Sequence, residues 1–151
     1  MKALLGLLIC LSLVSSCPAQ EGPVADLQQR VDQASGKDCV RLSMQAARDT
    51  LEAADKLFVA GDVKAAHNAV NVMVRYAGRS VDCSLQSRKA QKAAEIDLRK
   101  LIRRTTDVQR TLDSEDRPHL AWSIIELEKQ RDRLLHGMFG AGVGDTAEKK
   151  P

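Results

Sequence analysis

Residues 39–83, CVRLSMQAARDTLEAADKLFVAGDVKAAHNAVNVMVRYAGRSVDC, decide the fold. Asp38, just ahead of them, is a good N-cap residue. From there Val40, Met44, Ala47, Leu51, Ala54 and Phe58 recur every three or four positions, the spacing of a helix with one apolar face. A second row, Leu42, Ala46, Ala53 and Leu57, widens that face, so this helix is expected to be central and to touch more than one neighbour. It should run to about Ala60. Gly61-Asp62 then supplies a stop and a start, because glycine accepts the left-handed conformation beyond a helix end and aspartate caps the next helix. Val63, Ala66, Val70, Met73 and Ala77 form the stripe of a second helix, which is expected to end near Ala77-Gly78. At about 1.5 Å per residue the first helix rises roughly 30 Å and the second descends somewhat less, which returns Cys83 close to Cys39. A disulfide between these two cysteines is therefore expected, and closing a loop of this length stabilises by about 4 kcal/mol at most.

Working outward, the chain opens on Met1-Lys2, an apolar run from Ala3 to Val14 and then small residues. This pattern predicts a secretory signal, too short to span a membrane. Val14-Ser15-Ser16-Cys17 resembles the lipobox of bacterial lipoproteins, which implies that the signal is 1–16 and that Cys17 becomes a lipidated first residue. A competing cut after Ala19 makes the signal 1–19. Either cut removes Cys10 and either removes or modifies Cys17, leaving Cys39 and Cys83 as an even pair in an oxidising compartment, where disulfides persist. The expected location is the periplasm, free or membrane-anchored as a lipoprotein, or else the medium.

Roughly 130 residues remain, enough for one domain with a real core. Aromatics make up 3% of the chain, and Gly and Pro are scarce within long segments, which points to an all-α fold. Residues 17–37 read as a tether and a short helix, with Pro23 in its first turn, Val24, Leu27, Val31 and Ala34 on its stripe and Gly36 just past its end. Residues 38–138 read as a helical domain of two antiparallel hairpins, 38–83 and 84–138, forming a four-helix bundle-like unit. In the second hairpin, Ala90, Ala94, Leu98, Leu101, Thr105, Val108 and Leu112 mark a helix over about Leu85 to Leu112. Asp113 to Asp116 make a polar turn, and Pro118 opens a last helix with Leu120, Ile124, Leu127, Leu134 and Met138. The Gly-rich composition from Gly137 onward predicts a frayed end and a disordered tail over 139–151. Gly61 to Ala66 resembles the helix turn of a tetratricopeptide repeat, but no copy lies a repeat length away, and the resemblance implies two packed helices and no binding residues.

The motif inventory bears on function mainly by exclusion. Carboxylates follow helix faces expected to be exposed, and neither a phosphate loop nor a nucleophile elbow occurs, so no enzyme is expected. His67, His119 and His136 are isolated along the chain, no Glu-x-x-His or Cys-x-x-Cys-His motif is present, and neither a metal nor a cofactor is expected. Arg88, Lys92, Arg99, Arg103 and Arg110 fall in a narrow arc at 100° per residue and define a basic interaction ridge for an anionic surface or an acidic envelope protein. Its plainer reading is a solvated face with local partners, such as Asp107 beside Arg103 or Arg110. Nucleic acid is not an expected partner, since no aromatic residues interleave with the charges. Arg131, set between Leu127 and Leu134, must either snorkel to water or meet a carboxylate. Trp122 and Ile125, off that stripe, are expected to pack on the first hairpin, the alternative being an exposed patch for a partner. The leading expectation is a non-catalytic, exported interaction or structural module of the bacterial envelope, with a homodimer as one way to cover exposed stripes. The alternative is a carrier or sensor that holds a small apolar molecule or cofactor between the hairpins.

Overall fold

The structure, a computed structural model, describes residues 23–140. The expected signal segment, Cys10, Cys17 and the tail from Ala141 lie outside the described residues. Five helices follow one another: α1 Pro23–Gln33, α2 Gly36–Val59, α3 Val63–Ser87, α4 Gln91–Thr111 and α5 Arg117–Phe139. No strand occurs among the described residues, and the fold is an all-α helical bundle.

α2 is central, packing most extensively on α3 and also touching α1 and α4. This is the consequence of its two adjacent apolar rows. One row, Val40, Met44, Ala47, Leu51 and Ala54, joins the main core with Val70, Met73, Ala77 and Val81 of α3, Leu98 and Leu101 of α4, and Leu120, Leu127 and Leu134 of α5. The other row supplies Leu42 and Ala46 to a smaller cluster that receives Val31 of α1. The α2–α3 turn forms as its residues dictate: Gly61 takes φ +79°, and the Asp62 carboxylate accepts a bond from the Ala65 N–H at 3.2 Å.

Three helix boundaries differ from the sequence expectation, each for a local reason. α2 starts at Gly36 with Ser35 ahead of it, so Asp38 is not the cap but an acidic residue of the first turn, where the positive end of the helix favours it. α3 does not stop at Ala77-Gly78 but runs to Ser87. Its buried stripe is continued by Ser80, Val81 and Ser84, and the Ser80 hydroxyl donates to the Val40 carbonyl at 3.0 Å, so small serines do what larger apolar residues do elsewhere. The second hairpin consequently begins later, with residues 85–87 belonging to α3. The joint between α3 and α4 places Arg88 at φ 52° and Ala90 at φ 57°, a conformation disfavoured by about 1–2 kcal/mol for non-glycine residues. Serines hold it: the Ser84 hydroxyl donates to the Lys89 carbonyl, while the Ser87 hydroxyl donates to Cys83 and accepts from the Lys89 N–H. At the far end, α5 continues through Gly137 to Phe139 instead of fraying. A Cβ on Gly137 would overlap a Leu85 methyl, so the glycine lets α5 approach the end of α3.

α1 is fastened by Arg79 of α3, whose guanidinium donates to the carbonyls of Val31 at 2.9 Å and Asp32 at 3.2 Å. These are among the last carbonyls of α1, where the helix ladder runs out, although Val31 also accepts the Ala34 N–H at 3.3 Å, and a cation is favoured there. Arg79→Met is expected to free α1 while leaving the main core folded. Amide exchange of residues 24–33 should rise at least tenfold with little change in the global midpoint, and unchanged protection in α1 would contradict this role.

Candidate functional site

The residues with chemical potential gather in three places. At the end where α2 finishes and α3 and α5 begin, four rings stand in a row. Phe58 meets His67 edge-on at 5.7 Å between centroids, His67 stacks on His119 at 4.1 Å, and His119 lies 6.1 Å from Trp122. His67 Nε2 is 3.5 Å from an Asp116 carboxylate oxygen, and the Nε2 atoms of both histidines are buried without a hydrogen-bond partner. Burial, followed by the neighbouring His67, holds His119 below the ordinary histidine value of 6.5, against a smaller opposing pull from a hydrogen bond to the His67 backbone and from Asp116. In sequence these histidines look isolated. The signal that unites them is topological: both sit in the opening turns of helices that start at the same end of the bundle. No group of three His, Cys, Asp or Glu among the described residues is arranged to hold a metal ion.

The second place is the exposed face of α4. Lys92, Arg99, Arg103 and Arg110 all lie on it in solvent, while Arg88 is a correction: it is the left-handed cap that ends α3 and stands in the joint, exposed but off the helix. Arg99 pairs with Glu95 at 3.2 Å and Arg110 with Asp107 at 3.5 Å, both on the same helix. Lys92 and Arg103 have no ion-pair partner among the described residues. Two acids of the same helix, Glu95 and Asp97, are engaged by other cations. Glu95 also accepts from Arg131 Nε at 3.0 Å, and Asp97 faces Arg48 of α2 at 3.5 Å. A reciprocal pair, Arg104 with Asp55 of α2, stands at 3.6 Å. These two α2–α4 pairs recur seven residues apart on both helices and flank a groove of about 530 Å³ lined by Leu51, Leu101 and their charged neighbours. The pairs are partly exposed and contribute register more than stability.

Arg131 thus combines both sequence readings. Its side chain is 30% exposed, yet it reaches across to Glu95, itself only 14% exposed, and approaches Glu128 at 3.6 Å. The hydrogen bond to Glu95 is the main cause that holds its guanidinium above the ordinary value, with burial opposing. Trp122 and Ile125 stand 46% and 55% exposed, which fits the exposed-patch alternative rather than burial against the first hairpin. α5 presents Leu120, Leu127 and Leu134 to the core, and these two residues fall outside that arc.

The third place is the opposite end of the bundle, where Cys39 and Cys83 are brought within bonding distance, with their Cα atoms 6.1 Å apart. The Cys39 sulfur also lies 3.8 Å from the Ser43 hydroxyl. No helix among the described residues is long and apolar enough to cross a membrane. The chain matches no model of a protein family, no curated protein and no solved structure.

Proposed function

We propose that the protein is an exported, non-catalytic helical module of the bacterial envelope that docks on an anionic surface through the outer face of α4. The observation that carries this reading is the uneven pairing of that face. Lys92 and Arg103 are unpaired, Arg99 and Arg110 meet only acids of their own helix, and the α4 carboxylates Glu95 and Asp97 are drawn toward α5 and α2. A field of excess positive charge raises the local concentration of anionic partners and weakens with salt. The rest of the reading comes from the leader pattern and the cysteines. In it, the lipobox-like segment tethers the chain through Cys17, a short spacer leads to α1, and a Cys39–Cys83 disulfide closes the base of the first of two antiparallel hairpins. Tethering and the ridge have separate tasks in this reading: the lipid holds the chain at the membrane, and the basic face orients the bundle on the anionic surface.

The core supports an interaction module over a carrier. Met44, Leu51, Met73, Leu98, Leu101, Leu120 and Leu127 fill the space between the helices. The test uses vesicles of anionic phosphatidylglycerol and of neutral phosphatidylcholine, with the processed chain carrying Cys17→Ser so that no lipid contributes. Binding to anionic vesicles should exceed binding to neutral ones at least tenfold, fall as salt rises, and be lost when Lys92, Arg99, Arg103 and Arg110 are all changed to Gln. Equal binding to both vesicles, or none to either, would overturn the anionic-surface reading. Mass spectrometry of material from its own host reads the lipid at Cys17 independently.

A further inference from the structure

We propose that the stacked pair of His67 and His119 is an acid-sensitive latch that holds the heads of α3 and α5 together near neutral pH and loosens them on acidification. The stacking at 4.1 Å is favourable for two neutral rings and unfavourable for two imidazolium ions. Each histidine also lies in the opening turns of its helix, where the aligned peptide dipoles disfavour a cation. Their Nε2 atoms are buried and without hydrogen-bond partners, and the pulls that favour a protonated His119, its hydrogen bond to the His67 backbone and the charge of Asp116, are smaller than the burial that opposes it. A proton on His119 sets a cation against the face of the His67 ring, 4.1 Å away, and weakens the stack.

Among the described residues, Asp116 is the carboxylate within ion-pair distance of the stacked histidines. α2 turns the Phe58 ring toward His67, α5 adds the Trp122 ring beside His119, and Asp116 at the head of α5 is the carboxylate whose charge reaches His119. Among the described residues, no titratable group of α2 or α4 acts on His119. The sign follows. With His119 held below 6.5, the folded chain binds fewer protons than the unfolded chain as pH falls through that value. The latch is complete above about pH 6.5 and is lost progressively as pH drops through the lowered value of His119. Because His67 is partly exposed, protons reach the pair without prior unfolding. Trp122 reports the event in place, since a protonated histidine beside an indole changes its emission.

The experiment is a histidine-ring NMR titration of the processed chain, which requires no variant. The expected result is a His119 midpoint below 6.5; a His119 midpoint at or above 6.5 would overturn the latch. Amide exchange corrected for intrinsic rates supplies the second reading. Between about pH 7.5 and about pH 5, exchange over residues 63–70 and 113–122 should rise about tenfold for each unit by which His119 is lowered. His119→Gln should remove that rise and the accompanying change in Trp122 emission. An equal rise in the Gln variant would assign the loosening to other groups and defeat the proposal.

Discussion

Replacing both Cys39 and Cys83 by serine is expected to cost about 4 kcal/mol of stability under oxidising conditions and to lower the thermal midpoint by roughly 10–20 °C. The magnitude follows from a separation of 44 residues between the two cysteines, since a cross-link removes more freedom from the unfolded chain the longer the loop it closes. Serine keeps the size of the buried site at position 39 but leaves its hydroxyl about 3.8 Å from Ser43, too far to pair, so a comparison with the Cys39→Ala, Cys83→Ala double variant separates the lost bond from the cost of a buried hydroxyl. The loss common to both double variants reports on the bond. A strong reductant should bring the unmodified chain to the midpoint of the double variant. Equal midpoints for the oxidised unmodified chain and the double variant would show that no bond forms, and would remove one support of the export reading.

That result also bears on how the bundle is anchored. If α1 carries the tether, a pull at the membrane enters at Pro23, the first residue of α1, and is passed along that helix to its last carbonyls, where Arg79 grips them. The histidine row lies at the other end, where α2 finishes and α3 and α5 begin. Under the two proposals the labour is divided: a Cys39–Cys83 bond would keep the bundle assembled at one end, and the histidine stack would permit local opening of the α3 and α5 heads at the other.

Much of this was legible along the chain because apolar spacing reports burial directly. Val40, Met44, Ala47, Leu51 and Ala54 are on the buried side of α2 as their periodicity requires, and Gly61-Asp62 turns the chain with the chemistry expected of glycine and aspartate. Less legible was the boundary of α3, because Ser80 and Ser84 are polar by type yet buried, their hydroxyls bonded to the backbone at Val40 and Lys89. Arg88 and Ala90 carry no turn signal at all, since neither is a residue type that favours positive φ. Side-chain pairs distant in sequence were legible only in part. The placement of Arg131 demanded a partner or an exit to water, but nothing local nominated Glu95, which is 36 residues away. The histidine pair escaped for the same reason: spacing along one helix cannot report a stack between two.

Leu127→Ala is expected to destabilise the protein by about 3 kcal/mol, within the roughly 2–5 kcal/mol range for a buried leucine, and to lower the midpoint by about 10 °C. Leu127 is fully buried in the cluster that joins all four long helices, so truncation removes apolar contact and leaves a cavity that the packed neighbours fill only partly. Ile125→Ala, two positions away but 55% exposed, should stay within about 0.5 kcal/mol of the parent. The contrast checks the orientation of α5, and similar losses at both positions would mean that its inward arc is drawn wrongly. The same cavity discriminates the interaction reading from the carrier reading. A small apolar probe such as benzene should raise the midpoint of Leu127→Ala, because an apolar void of this kind stays dry and accepts such molecules, and should leave the unmodified chain unchanged. A comparable rise in the unmodified chain would reveal an apolar site already open between the helices, and the carrier reading would then displace the surface-docking one.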